Sequence, residues 1–299
     1  MEIGMSAHAS QLPDIPLIED GDEMRSALIA TYPENAETIE SLHTHGFAVI
    51  EPDFDPEDLK AVDAWSEAKL KNTPRIQDGW IEQAAIGRLA VHAPVLDLLS
   101  KLYGRRAFPF QTLNFEVGTQ QKPHSDTFHF NSTPAHFMCG VWVALEDISP
   151  EAGPLIYYPG SHKLPILERA EIGGDQAYAD YEKHIAGLID SHDLKPEYGL
   201  LKRGQALIWS ANLIHGGSRR IDPTLTRRSQ VTHYYFEDCA YHTPLDYDLE
   251  QGAHFVRQPF DLSRRKHILS QRKHLNEQLT LREILAQRWR LWRQRPPRF

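Results

Sequence analysis

Residues 136–148 read HFMCGVWVALEDI. Working outward, four more short runs of aromatic and β-branched residues share this texture: FPFQTLNFEVG at 108–118, PLIYYPGS at 154–161, GQALIWSA at 204–211 and RRSQVTHYYFEDC at 227–239. Gly, Pro and Asp bound them. Strands at such short intervals indicate an antiparallel sandwich or barrel rather than alternating βαβ units. No G-x-G-x-x-G or phosphate-loop pattern interrupts them, which removes dinucleotide and nucleoside-triphosphate chemistry. Lys163 to Arg203 breaks the spacing with two helix-like pieces, Ile166–Ile172 and Tyr178–Ile189. A connection this long inside a compact domain is usually functional, and a lid near the barrel mouth is the expectation.

Before the strands, helical spacing dominates. Residues 1–33 read as a loosely held arm with one short helix over Glu23–Thr31, and the main domain is expected over 34–261. Ala36, Ile39, Leu42 and His43 recur at helical steps that end at Gly46, a C-cap residue. Phe47 to Ile50 then form a strand, Asp55-Pro56 opens a helix running to Leu70, and Leu96–Leu102 belongs to a third. These helices buttress the sheet. At the far end, residues 262–299 are expected to form a basic helix over Leu262–Trp292 with one apolar stripe, packed on the domain or joining two subunits as a homodimer.

The chain has 299 residues, 41% apolar and 24% charged, an ordinary globular composition. Its net charge of −9 is uneven: Arg264–Phe299 holds eleven Lys/Arg against two Asp/Glu, so residues 1–263 carry −18. An acidic body disfavours nucleic acid as a partner. Cys139 and Cys239, the two cysteines, sit in apolar runs and read as buried thiols of a reducing cytoplasm. No apolar run reaches the length of a membrane span, and the acidic N-terminus lacks the pattern of a signal peptide.

The chemistry concentrates in QKPHSDTFHF, residues 121–130. On a strand His124 and Asp126 point to one face. A barrel neighbour can supply a third ligand, and His215 is the best placed, following QALIWSANLI and preceding Gly216 and Gly217, which let the backbone pass closely by a metal. Two imidazoles and one carboxylate hold one face of an Fe(II) ion and leave three positions open. Further on, Arg227 and Ser229 share a strand face, and a guanidinium fork with a hydroxyl can clamp a distal carboxylate. A register shift of one residue would exchange Arg227 for Arg228.

HSD, EAGPLIYYPGSHK, LIHGGS and R-x-S, in this order, resemble the phytanoyl-CoA dioxygenase family of Fe(II)/2-oxoglutarate oxygenases. The resemblance runs from about Gly46 to Phe236. It implies a mainly β fold, a double-stranded β-helix or jelly-roll core with flanking helices. It implies iron ligands at His124, Asp126 and His215 and a 2-oxoglutarate clamp at Arg227 and Ser229, with Asn114 and Thr112 facing the co-substrate. The expected reaction consumes O2 and 2-oxoglutarate, releases succinate and carbon dioxide, and hydroxylates an unactivated C–H of a small polar molecule. Because Asp126 is a carboxylate, no ligand position is vacated for a halide. Phe128, His129, Trp142 and Tyr235 are the candidate substrate contacts. Two alternatives stand beside this reading: a jelly-roll metalloenzyme of isomerase or lyase type, for which the clamp has no role, and a catalytically silent binding protein.

Overall fold

In the computed structural model, residues 12–71, 73–172, 177–250, 252–271 and Leu275 are described. The N-terminal helices are α1 (Gly21–Thr31), α2 (Ala36–His45), α3 (Pro56–Lys69), α4 (Ala84–Ala90) and α5 (Ala93–Tyr103). Local chemistry sets their ends: Asp55 accepts a hydrogen bond from the Glu57 N–H at the start of α3, and Gly46 closes α2 in the left-handed conformation at φ 83°.

Strands β1 (Phe47–Ile50), β2 (Arg75–Gln77), β3 (Ala107–Phe115), β4 (Asn131–Thr133), β5 (Met138–Ala144), β6 (Leu155–Tyr157) and β7 (Glu197–Tyr198) come first. Then follow β8 (Ala206–Ser210), β9 (His215–Gly217), β10 (Ser229–Phe236), β11 (Ala240–Asp248) and β12 (Ala253–Val256), with the hairpin β13 (Phe260–Asp261) and β14 (Lys266–His267). A six-stranded sheet runs in the order β1-β8-β5-β10-β3-β2, a three-stranded sheet is ordered β7-β6-β9, and β12-β11-β4 forms another. Every pairing is antiparallel. The large sheet and β7-β6-β9 enclose a cavity, as a jelly roll does.

Alternation assigns each strand residue to one of two layers. Val141, Val143, Ala206 and Ile208 join the helices in the larger core, while Trp142, Ala144, Leu207 and Trp209 face inward with Tyr157 and Leu213. The inner layer has room for the Trp209 indole only because residue 140 is glycine: a Cβ there would lie 2.1 Å from the ring. Two short helices, α6 (Arg169–Ile172) and α7 (Ala177–Ser191), fill the long connection between β6 and β7 and bury Tyr181 and Ile185.

Both termini depart from expectation. Residues 12–33 are not a loose arm: Ile18 and Leu28 are buried, and the buried Arg105 guanidinium donates to Pro13 O at 2.9 and 2.7 Å. No helix begins at Leu262. Asp261, fully buried, pairs with Arg106 at 2.6 Å and accepts from the Ser263 and Arg264 N–H groups, so the chain turns there into β14. The remainder of the expected basic helix, and the dimer contact through it, lies outside the described residues apart from 268–271 and Leu275.

Candidate active site

His124 and His215 face each other across an antiparallel bridge, with N–H donating to C=O at 2.8 and 2.9 Å in the two directions. Their rings lie 4.4 Å apart. Gly216 and Gly217 permit this approach, because a Cβ on either would sit within 3 Å of the backbone of residues 120–121. The glycines therefore admit the segment that delivers His124, rather than the metal itself. Ser125 stays extended at φ −111°, ψ 139°, so His124 and Asp126 share a direction, yet Asp126 already opens a 3-10 turn over Asp126–Phe128. The H-x-D segment is thus one bridge followed by a turn, not the continuous strand expected.

The donor atoms are prepared for a metal. His124 Nδ1 lies 3.0 Å from Lys122 O and His215 Nδ1 lies 3.0 Å from Leu213 O. A carbonyl only accepts, so each Nδ1 carries a proton and Nε2 is the nitrogen left to face a metal. Both Nε2 atoms are 3.9 Å from Asp126 Oδ1. The three ligand atoms lie within 4.8 Å of one another, the one such group among the described residues. Burial, with His215 beside it, pushes His124 down to about 3. Burial raises Asp126, but His215, His233, His124 and the Trp209 hydrogen bond outweigh it and bring the carboxyl down to about 2. Two imidazole Nε2 atoms and one carboxylate oxygen converging on one point are the donor set a divalent cation takes, so these residues fit iron.

Outer contacts hold the ligands. Trp209 Nε1 donates to Asp126 Oδ2 at 2.8 Å, leaving Oδ1 turned to the histidines. The Tyr181 hydroxyl of α7 accepts from Ser125 N–H at 2.6 Å and donates to Ser125 O at 3.0 Å. Ser125 Oγ, Thr127 Oγ1 and Asn212 Oδ1 close a buried network beneath. The 163–203 connection is in this way bonded to the backbone between two ligands.

A cavity of about 400 Å³ opens over the triad. Arg227 reaches it from one end, 3% exposed, with its guanidinium 5.7 Å from the Phe115 ring and 5.4 Å from Trp142. Its Nε has no hydrogen-bond partner, and burial lowers its pKa to about 10. Arg228 points away and pairs with Asp63, Glu146 and Glu116. Of the two arginines, the cavity takes Arg227. Ser229 shares its face, fully buried, with its hydroxyl turned onto Arg227 O at 3.3 Å.

Four candidates lie elsewhere. Thr112 and Asn114 face the helices, since Gln111, Leu113 and Phe115 are the β3 residues in the cavity wall; Asn114 Nδ2 meets Gln230 Oε1 at 3.5 Å. The 3-10 turn swings Phe128 out of the cavity to stack on Tyr181 at 4.0 Å. Tyr235 is not in the cavity wall but in the larger core, stacked on Phe110 at 4.0 Å. His129 and Trp142 do line the cavity. Sequence reading missed Trp209, Gln111, Gln121 and His233. His233 carried a usable signal, two strand steps of two residues beyond Ser229 on the face of Arg227; its Nδ1 meets Gln111 Oε1 at 3.0 Å.

The family model of phytanoyl-CoA dioxygenase (PhyH) matches residues 42–228, well over half of the chain. The chain belongs to this family. Ectoine dioxygenase of Sphingopyxis alaskensis is 26% identical over 183 residues, 56% of this chain and 60% of that protein. A probable phytanoyl-CoA dioxygenase of Caenorhabditis elegans is 28% identical over 135 residues, 43% of this chain and 40% of that protein. The chain thus matches less than two thirds of the length of either PhyH relative. Among solved structures, the epimerase SnoN in complex with Fe3+, alpha ketoglutarate and nogalamycin RO superposes with a TM-score of 0.58 at 21% identity, over 78% of this chain and 94% of that one. EctD from S. alaskensis with 2-oxoglutarate and 5-hydroxyectoine gives 0.55 at 20% identity, over 78% and 84%. These two are likenesses of fold, and the fold is the double-stranded β-helix of 2-oxoglutarate oxygenases.

Proposed function

We propose that this PhyH-family chain is an Fe(II)/2-oxoglutarate-dependent dioxygenase that hydroxylates a C–H of a small polar molecule. The observation that carries the reading is Arg227: a buried guanidinium without an acidic partner, walling the same cavity as the two imidazoles and the carboxylate of the triad. A dicarboxylate co-substrate answers both ends at once. Arg227 takes its distal carboxylate, with Ser229 alongside, and His124, Asp126 and His215 hold the iron. Iron, 2-oxoglutarate and O2 together supply the oxidising chemistry, with succinate and carbon dioxide released.

The chain's own residues do the positioning. Trp209 fixes which carboxylate oxygen of Asp126 faces the metal, and Trp142 with Phe115 keeps water from the Arg227 guanidinium, where a charge-assisted bond is strongest. Gln111, Gln121, His129 and Tyr178 put hydrogen-bonding groups around the remaining space, which supports a polar substrate. A non-redox use of the triad leaves Arg227 without a task. The test is succinate formation from 2-oxoglutarate with Fe(II) under air, wild type against Asp126→Ala. Wild type is expected to form succinate slowly without substrate and the variant none. Absence of succinate from folded, iron-loaded wild type across a broad substrate panel would remove the oxygenase reading.

A further inference from the structure

The cavity wall holds a second guanidinium. Arg75 sits on the edge strand β2, directly across from Phe115, with Gln77 across from Leu113, so both point to the cavity side of the sheet at its rim. Several arginines of this acidic body are matched to carboxylates: Arg25 to Asp22 and Glu40, Arg88 to Asp58, Arg106 to Asp261 and Glu237, and Arg228 to three acids. The two that line the cavity have no acidic partner among the described residues.

Position separates their tasks. Asp126 is the one carboxylate among the residues of the wall, and it belongs to the triad. Arg227, buried beside Phe115 and Trp142, is assigned above to the distal carboxylate of the co-substrate. Arg75, exposed on the rim strand, is free to meet a second anion. At the mouth of a partly desolvated cavity, a guanidinium with an amide two residues along the same strand face can close on an oxyanion; the Gln77 amide donates one hydrogen to Asp78 Oδ2 at 3.1 Å and keeps the other. Resting on the oxygenase reading above, we infer that the substrate carries an acidic group, one carboxylate or its phosphate equivalent, bound by Arg75 with Gln77 while its reacting carbon lies toward the triad.

The test uses full-length protein and a panel of small monocarboxylic acids, their primary amides and matched phosphate monoesters. Turnover is read as substrate-stimulated succinate. Binding is read independently by calorimetry on anaerobic protein loaded with Mn(II) and 2-oxoglutarate, so that failure of the oxygenase reading, no succinate at all, remains distinct from failure of this one. Compounds that bind are expected to be acids, and Arg75→Gln is expected to lower the acid-over-amide preference at least tenfold, with Arg75→Lys restoring part of it. Arg75 is solvent-exposed on a short edge strand, so the fold tolerates both variants. Acid against phosphate ester, compared on wild type, tells the two anion classes apart. Amides binding as well as acids, or a preference unchanged within twofold in Arg75→Gln, would overturn the inference.

Discussion

Replacing Arg227 by methionine should move stability and co-substrate binding in opposite directions. Burial holds the Arg227 pKa down at about 10, and no acid compensates it. The sign follows from linkage: a cation whose folded-state pKa lies below its ordinary value destabilises the fold at every pH below that value, so the full penalty is present at neutral pH. The depression corresponds to about 3 kcal/mol. Loss of the contacts with Phe115 and Trp142 returns on the order of 1 kcal/mol. Methionine keeps most of the volume, leaving a net gain of about 1–2 kcal/mol in the ligand-free protein. At this chain length that raises Tm by roughly 2–3 °C. Removing one partner of a buried, hydrogen-bonded charge pair costs about 2–5 kcal/mol of affinity, so the Kd for 2-oxoglutarate should rise from about thirtyfold to several thousandfold. Thermal unfolding of the metal-loaded protein with and without 2-oxoglutarate reads both effects. A variant less stable than wild type without co-substrate, yet stabilised by 2-oxoglutarate at wild-type concentrations, would refute the reasoning.

Trp209→Phe removes the 2.8 Å donor to Asp126 Oδ2 while keeping a ring in the inner layer; metal affinity should fall about 10- to 100-fold, measured by competition with a chelating dye, and an unchanged affinity would mean that Asp126 is held by its backbone alone. The metal-free protein should also lose stability in mild acid. Burial drives His124 to about 3 and His162, His233 and His242 to about 4. Such groups are neutral when folded and gain a proton on unfolding below about pH 6.5, so their contribution is complete above that pH and declines by about 1.4 kcal/mol per pH unit each as the pH falls toward the folded values. His136, raised by Glu19 against the effect of burial, opposes them singly. The unfolding free energy from denaturant titrations should therefore drop by several kcal/mol in total, on the order of 1.4 kcal/mol per pH unit for each group, from pH 7 to pH 5, and a flat profile would count against neutral buried imidazoles.

The metal ligands were legible because each is announced by local sequence: H-x-D brings two donors to one side, and His215 precedes two glycines that a close crossing requires. The co-substrate wall was harder to read. On β3 both faces are buried, one by α4 and α5 and the other by the cavity, so polar Thr112 and Asn114 and apolar Leu113 and Phe115 do not reveal which pair looks inward. Polarity marks a face only when one side meets water. Tyr235 failed for another reason. Parity does not resolve its face, because the bulge opposite His233 and Tyr234 breaks the alternation there, and Tyr235 packs with Phe110 in the larger core.

The charges show most clearly what sequence withholds. Arg227 and Arg228 are chemically identical neighbours, and composition gives both a large excess of acidic partners. Strand parity alone sends Arg228 to Asp63, Glu116 and Glu146 and leaves Arg227 facing a wall whose single carboxylate belongs to the triad. The pairing of Arg228 anchors the end of β10 and thereby prevents the one-residue slip that would present it to the cavity instead. The unpaired arginine is kept in place by the paired one beside it.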